Sequence, residues 1–169
     1  MRRRAITLSR AFLLAGMLVV AAAARAYERD ALPNFKLNLV DGHSVNSKDL
    51  AGKITVIDFW GTWCAPCLAE ITDYNDFYRE YKGKGVAFLA LAADSGTASE
   101  VRDAVRRLKI EYPVAAPSWD ELDLFGNIEV FPTTLVFNTG GKLEKVFMGS
   151  SPFKQKALRD LVTRLLSGK

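Results

Sequence analysis

The apolar positions change period several times along the chain, and each change marks an element. Phe35 to Val40 alternates apolar and polar residues and is followed by Asp41-Gly42, which predicts an N-terminal β-hairpin. Ile54 to Phe59 is a mostly apolar, β-branched run, expected of a central buried strand. Leu68, Ile71, Phe77, Tyr78 and Tyr81 then fall at helical spacing and predict one helix from about Cys64 to Tyr81. Val86 to Ala92 is a second buried strand. Thr97-Ala98-Ser99-Glu100 has the form of a capping box, with Val101, Ala104, Val105 and Leu108 as the apolar face behind it. Pro113 to Ala115 predicts a short strand. Ser118 to Glu121 repeats the capping pattern before a short helix that ends near Gly126. Thr134 to Asn138 and Leu143 to Phe147 flank Thr139-Gly140-Gly141 as a hairpin. Ser151-Pro152 opens a last helix with proline at its first position, buried through Leu158, Leu161, Val162 and Leu165. This order describes an α/β fold in which a mixed sheet carries helices on both faces.

The first 26 residues follow a different rule. Arg2, Arg3 and Arg4 precede an uncharged stretch from Ala11 to Ala24, and Ala24-Arg25-Ala26 fits a small-x-small cleavage pattern. That stretch is shorter than the roughly 20 residues a bilayer span needs. Residues 1–26 are therefore expected to be a cleaved export signal, with an uncleaved anchor as the alternative. Arg3-Arg4 alone is weak support for a twin-arginine route. Residues 27–169 form the remaining domain. The signal also changes the charge. The whole chain has 23 Lys+Arg against 19 Asp+Glu, but five of the basic residues and none of the acidic ones lie in 1–26. The rest carries 18 against 19, a net charge of −1, which leaves no charge argument for nucleic acid or an anionic membrane.

The candidate chemistry is one pair of residues. Cys64 and Cys67 are the only cysteines, and they sit in Trp63-Cys64-Ala65-Pro66-Cys67 between a predicted strand and a predicted helix. That setting is a redox arrangement. A purely structural crosslink over so short a loop gains only about 2 kcal/mol by chain entropy. A structural zinc site wants four ligands, and the chain adds only one distant histidine, His43, which reads as a surface hairpin residue. A Cu(I)-binding module using the two thiolates remains an alternative of a different class. Leu68 follows Cys67 where a haem-attachment motif would need histidine. In the redox reading Cys64 is the nucleophile at a helix N-terminus, and Cys67, more buried, resolves the mixed disulfide. Pro66 stiffens the first turn and withholds no needed N–H. Trp60 belongs to the core and Trp63 to the rim of the site.

Asp58-Phe59-Trp60-Gly61-Thr62-Trp63-Cys64-Ala65-Pro66-Cys67 resembles the active-site segment of the thioredoxin superfamily. Val130-Phe131-Pro132-Thr133 is similar to the loop that carries that family's cis-proline, and Gly149 fits the same pattern. Leu32-Pro33-Asn34-Phe35 with Asp41-Gly42, and the extra helix and strand between about Thr97 and Ala115, resemble the exported TlpA/ResA-like branch. The likeness covers about residues 32 to 166.

The resemblance implies a thioredoxin-like fold with an N-terminal β-hairpin and an inserted helix–strand element. It implies an exported thiol–disulfide oxidoreductase without a cofactor or metal. Pro132 would present the preceding backbone to substrate, with Trp63, Pro66, Phe131 and Thr133 around it. Phe131 departs from the smaller aliphatic residue of many relatives and would narrow the groove. Asp58 matches the buried aspartate of thioredoxin, and Glu70 matches an acidic residue of the ResA-like branch; either would exchange the Cys67 proton. For Glu70, one turn into a helix, a solvated partner of the helix dipole is the simpler alternative. The partners implied are disulfide-containing exported proteins, with apocytochrome c or a copper-site protein as examples, and a membrane electron donor of the CcdA or DsbD type. The chain would act as a monomer. Ala65-Pro66 lacks the histidine of strongly oxidising relatives, which favours a reductase over a general disulfide oxidase. An isomerase would need a dimerisation domain for which the chain has no room, and a peroxidase site does not fit the C-x-x-C pair.

Overall fold

The computed structural model describes residues 30–168. The expected signal at 1–26 lies outside them. Five strands form the central sheet: β3 (Ile54–Trp60), β4 (Val86–Ala92), β5 (Val114–Ala115), β6 (Thr133–Phe137) and β7 (Leu143–Met148). Their order is β5-β4-β3-β6-β7. β3 runs parallel to β4 and antiparallel to β6, so the sheet is mixed. The hairpin of β1 (Lys36–Asn38) and β2 (Ser44–Asn46) is a separate two-stranded sheet. It is tied to the main sheet by a bridge between Leu39 and Ala115 and by the Val40 N–H, which donates to the Val114 carbonyl at 2.9 Å.

β3 is buried along its whole length, as its apolar sequence demands. Its alternate residues serve two cores. Val56 and Trp60 face α2 (Ile71–Tyr81), α5 (Lys154–Leu166) and Val101 of α3 (Ala98–Leu108). Ile57 and Phe59 face the hairpin residues Phe35 and Leu37 and Leu122 of α4 (Trp119–Asp123). Helices therefore cover both faces of the sheet. Thr97 with Glu100 and Ser118 with Glu121 form the two capping boxes read from the sequence.

Two helix boundaries differ from expectation. The single helix from Cys64 to Tyr81 is two, α1 (Ala65–Ala69) and α2, joined at Glu70. There the Glu70 N–H bonds back three residues, to the Cys67 carbonyl, and not four. This tighter step sets the side chain of Glu70 inward, where it finds a buried cation. The last helix begins at Lys154, with Phe153 as its N-cap. Pro152 lies in the turn before it, which the Lys154 N–H closes onto the Ser151 carbonyl at 3.0 Å. Among the described residues no helix is long and apolar enough to cross a membrane.

Candidate active site

β3 delivers the chain to Gly61, and α1 starts four residues later, so the two cysteines lie at the end of the central strand. The Ala93 N–H, just past β4, donates to the Trp60 carbonyl at 2.8 Å. The Thr62 N–H donates to the Ser95 hydroxyl at 3.0 Å. These bonds brace the loop from the neighbouring strand. Cys64 and Cys67 form a disulfide with their Cα atoms 5.2 Å apart. Cys64 is the N-cap of α1, and its sulfur accepts the Cys67 N–H at 3.3 Å. Pro66 stands in the first turn, where a missing N–H is harmless. The expected difference in burial is absent: both cysteines are 4% exposed.

Trp63 is 55% exposed and forms the rim. Its indole Nε1 donates to the carbonyl of Asp94 at 3.0 Å, and its ring meets Phe131 edge-on with centroids 5.4 Å apart. A Cβ placed on Gly61 would lie 2.6 Å from the Trp63 ring, so the indole rests directly on that glycine. The Phe131–Pro132 peptide is cis. Gly149, at φ +71°, donates its N–H to the Pro132 carbonyl at 2.7 Å and so fixes the loop from β7. The Thr133 hydroxyl donates to the Val130 carbonyl at 2.7 Å.

Asp58 is buried on β3. Its Oδ1 accepts the Thr134 hydroxyl at 2.8 Å and lies 3.1 Å from the Tyr74 hydroxyl, which is itself 2.7 Å from Thr134. Burial pushes the Asp58 carboxyl up to about 6. Lys154 and the Thr134 bond pull it down, and the charge of Glu70 pushes it up. Burial, with the charges of Asp58 and Glu70, holds the Tyr74 phenol well above its ordinary range.

Glu70 is not a solvated partner of the helix dipole. It is 6% exposed and pairs through Oε2 with Nζ of Lys154, itself 3% exposed, at 2.8 Å. The Lys154 ammonium also lies 5.6 Å from the centre of the Tyr74 ring. Sequence reasoning missed Lys154, Tyr74 and Thr134. The signal for Lys154 was its place four residues before Leu158 on the buried stripe of the last helix. His43 is an exposed hairpin residue beside Asp41, away from this cluster. Among the described residues no group of three or more His, Cys, Asp and Glu is placed to hold a metal ion.

A buried disulfide capping a helix, with a titratable carboxylate on the strand that precedes it, is equipped to exchange electrons with another dithiol. The AhpC/TSA family pattern matches residues 29–146. The chain belongs to this family. It is 33% identical over 123 residues to the thiol-disulfide oxidoreductase ResA of Bacillus cereus, a match that spans 73% of this chain and 70% of that protein. The ResA of Oceanobacillus iheyensis is 35% identical over 125 residues, 72% of this chain and 65% of that protein. A crystal structure of a thioredoxin-family thiol:disulfide interchange protein from Chlorobium tepidum superposes with a TM-score of 0.72 at 26% identity, covering 80% of this chain and 95% of that one. StoA from Bacillus subtilis shares the fold, with a TM-score of 0.66 at 24% identity over 77% of this chain and 97% of its own. The chain is thus a thiol–disulfide oxidoreductase of thioredoxin fold.

Proposed function

We propose that this oxidoreductase is exported, that residues 1–26 are its signal and 27–169 its working domain, and that it reduces disulfides in other exported proteins. The observation that carries the reading is the Cys64–Cys67 disulfide at the N-cap of α1 beside the exposed Trp63–Phe131 rim. In the reduced protein the Cys64 thiolate attacks a substrate disulfide, forming a Cys64–substrate bond and releasing one substrate thiolate. The free N–H groups of the helix start favour that thiolate. Cys67 gives its proton to Asp58 and attacks the Cys64 sulfur. The Cys64–Cys67 bond forms, the Cys64–substrate bond breaks, and the electron pair leaves with the second substrate thiolate. Trp63, Phe131, Pro132 and Thr133 border the substrate, and Pro66 keeps the two sulfurs in register. A membrane donor of the CcdA or DsbD type, acting on the monomer, returns the two electrons. We propose apocytochrome c and copper-site proteins as its substrate classes, as the resemblance to the TlpA/ResA-like branch implies.

The test is the reduction potential of the Cys64–Cys67 pair in dithiothreitol or glutathione buffers. A value near or below about −230 mV supports the reductase, and one near about −120 mV refutes it in favour of an oxidase. Cys67→Ser should accumulate a Cys64–substrate adduct on non-reducing gels. A Cys67→Ser protein that still turned over disulfides would exclude the two-cysteine mechanism.

A further inference from the structure

Lys154 is a lysine buried almost completely, a placement that occurs only where the charge is paired. Its partner is Glu70, at the break between α1 and α2, three residues beyond Cys67. Asp58 lies in the same interior, but its hydrogen bonds come from the hydroxyls of Thr134 and Tyr74. Two carboxylates thus share one ammonium, and that ammonium bonds directly to Glu70. Uncompensated charge in such an interior is costly, so the carboxylate that lacks the cation is the one that binds a proton more readily. That carboxylate is Asp58.

We propose that Lys154 is a positioning residue for the redox site: by holding Glu70 as its ion-pair partner, it leaves Asp58 as the carboxylate that takes and returns the Cys67 proton. The inference rests on the proposed role of Asp58. The groups acting on Asp58 come from every element around it: Lys154 from α5, Glu70 from the α1–α2 junction, Tyr74 from α2 and the Thr134 hydroxyl from β6. Tyr112, in the segment before β5, feels Asp58 and Glu70 and is held well above the ordinary phenol range, so it stays neutral throughout. Of the two charged neighbours, Lys154 acts more strongly on Asp58 than Glu70 does, and in the opposite direction. Removing one charge or the other must therefore move Asp58 in opposite senses.

The experiment is stopped-flow reaction of the reduced protein with 5,5′-dithiobis(2-nitrobenzoate) between pH 4.5 and 9. Attack by Cys64 releases one nitrothiobenzoate. Attack by Cys67 on the Cys64 sulfur releases the second, so the second phase reports Cys67 alone. Its rate should fall on the acid side with the midpoint of Asp58. Lys154→Met should raise that midpoint by about one pH unit, the size expected for loss of a nearby opposite charge. Glu70→Gln should lower it, and Lys154→Arg should restore the parent value. Asp58→Asn should slow the second phase at pH 7 and move its acid limb up to the ordinary thiol range, about pH 8.5. If the limb stays at the parent midpoint in Asp58→Asn, the role of Asp58 is wrong. If Asp58→Asn moves it but Lys154→Met leaves the midpoint in place, the role of Lys154 is wrong and that of Asp58 stands. Should Lys154→Met fail to fold, the other two variants decide: an unmoved or raised midpoint in Glu70→Gln, or a shifted one in Lys154→Arg, overturns the proposal.

Discussion

Asp58→Asn should make the oxidised protein more stable at pH 7. The folded protein holds this carboxyl at about 6, against 3.8 for an ordinary aspartate. The difference of about two units corresponds to about 3 kcal/mol. Its sign follows from proton binding. The folded state holds the proton more tightly than the unfolded chain, so stability falls as pH rises from about 4 to about 6. Above that window the loss is complete, and below it there is none. Asparagine cannot ionise and still offers an oxygen to the Thr134 hydroxyl. It also brings two N–H donors into a dry site, so 3 kcal/mol is an upper figure. For a domain of this size that is a rise in Tm of about 10 °C. The assay is thermal unfolding of the oxidised parent and variant at pH 7 and at pH 3.5. The gap should be large at pH 7 and nearly vanish at pH 3.5. A variant less stable than the parent at pH 7, or an equal gap at both pH values, refutes the reasoning. The same variant should turn over disulfides more slowly, a trade of activity for stability at one residue.

Three further outcomes are expected. Lys154→Met should cost about 3 kcal/mol in urea unfolding, because it strands a buried carboxylate, and the Glu70→Gln/Lys154→Met double variant should cost less than the sum of the two single changes. Gly61→Ala should displace the Trp63 indole, since the new methyl would lie 2.6 Å from its ring; tryptophan fluorescence should shift and disulfide reduction should slow, and an unchanged spectrum would refute the contact. Phe131→Ala should remove an edge-on aromatic contact worth about 1 kcal/mol and raise KM more than it lowers kcat, as measured by steady-state reduction of a disulfide peptide.

The architecture was largely legible in the sequence. β3 and β4 are long apolar runs, and two capping boxes located the starts of α3 and α4 to the residue. Hydrophobic period alone could not show the break at Glu70, because Leu68, Ile71 and Phe77 keep helical spacing on both sides of it. Nor could the proline rule place the start of α5: Pro152 is as suited to the preceding turn as to a first helical position. The cysteine pair was legible because a C-x-x-C at a strand end is an uncommon local setting, and Asp58 because its position matches the buried aspartate of the thioredoxin family. Lys154 and Thr134 were missed because what they do is decided across 84 and 76 residues of chain. Such long-range partners leave only an indirect trace, here a charged residue on an otherwise apolar stripe.

The sheet's two borders bear on how the protein keeps company with other chains. β5, on one border, is only two residues long, and the segment after β1 lies against it through Leu39 and Val40. β7, on the other, carries Glu144 and Lys145, and Ala31 pairs with Lys142 at its start. Short, charged or covered borders are poor templates for another strand. The protein thus offers other chains little backbone on which to stack, and encounters at its flanks should not seed aggregates.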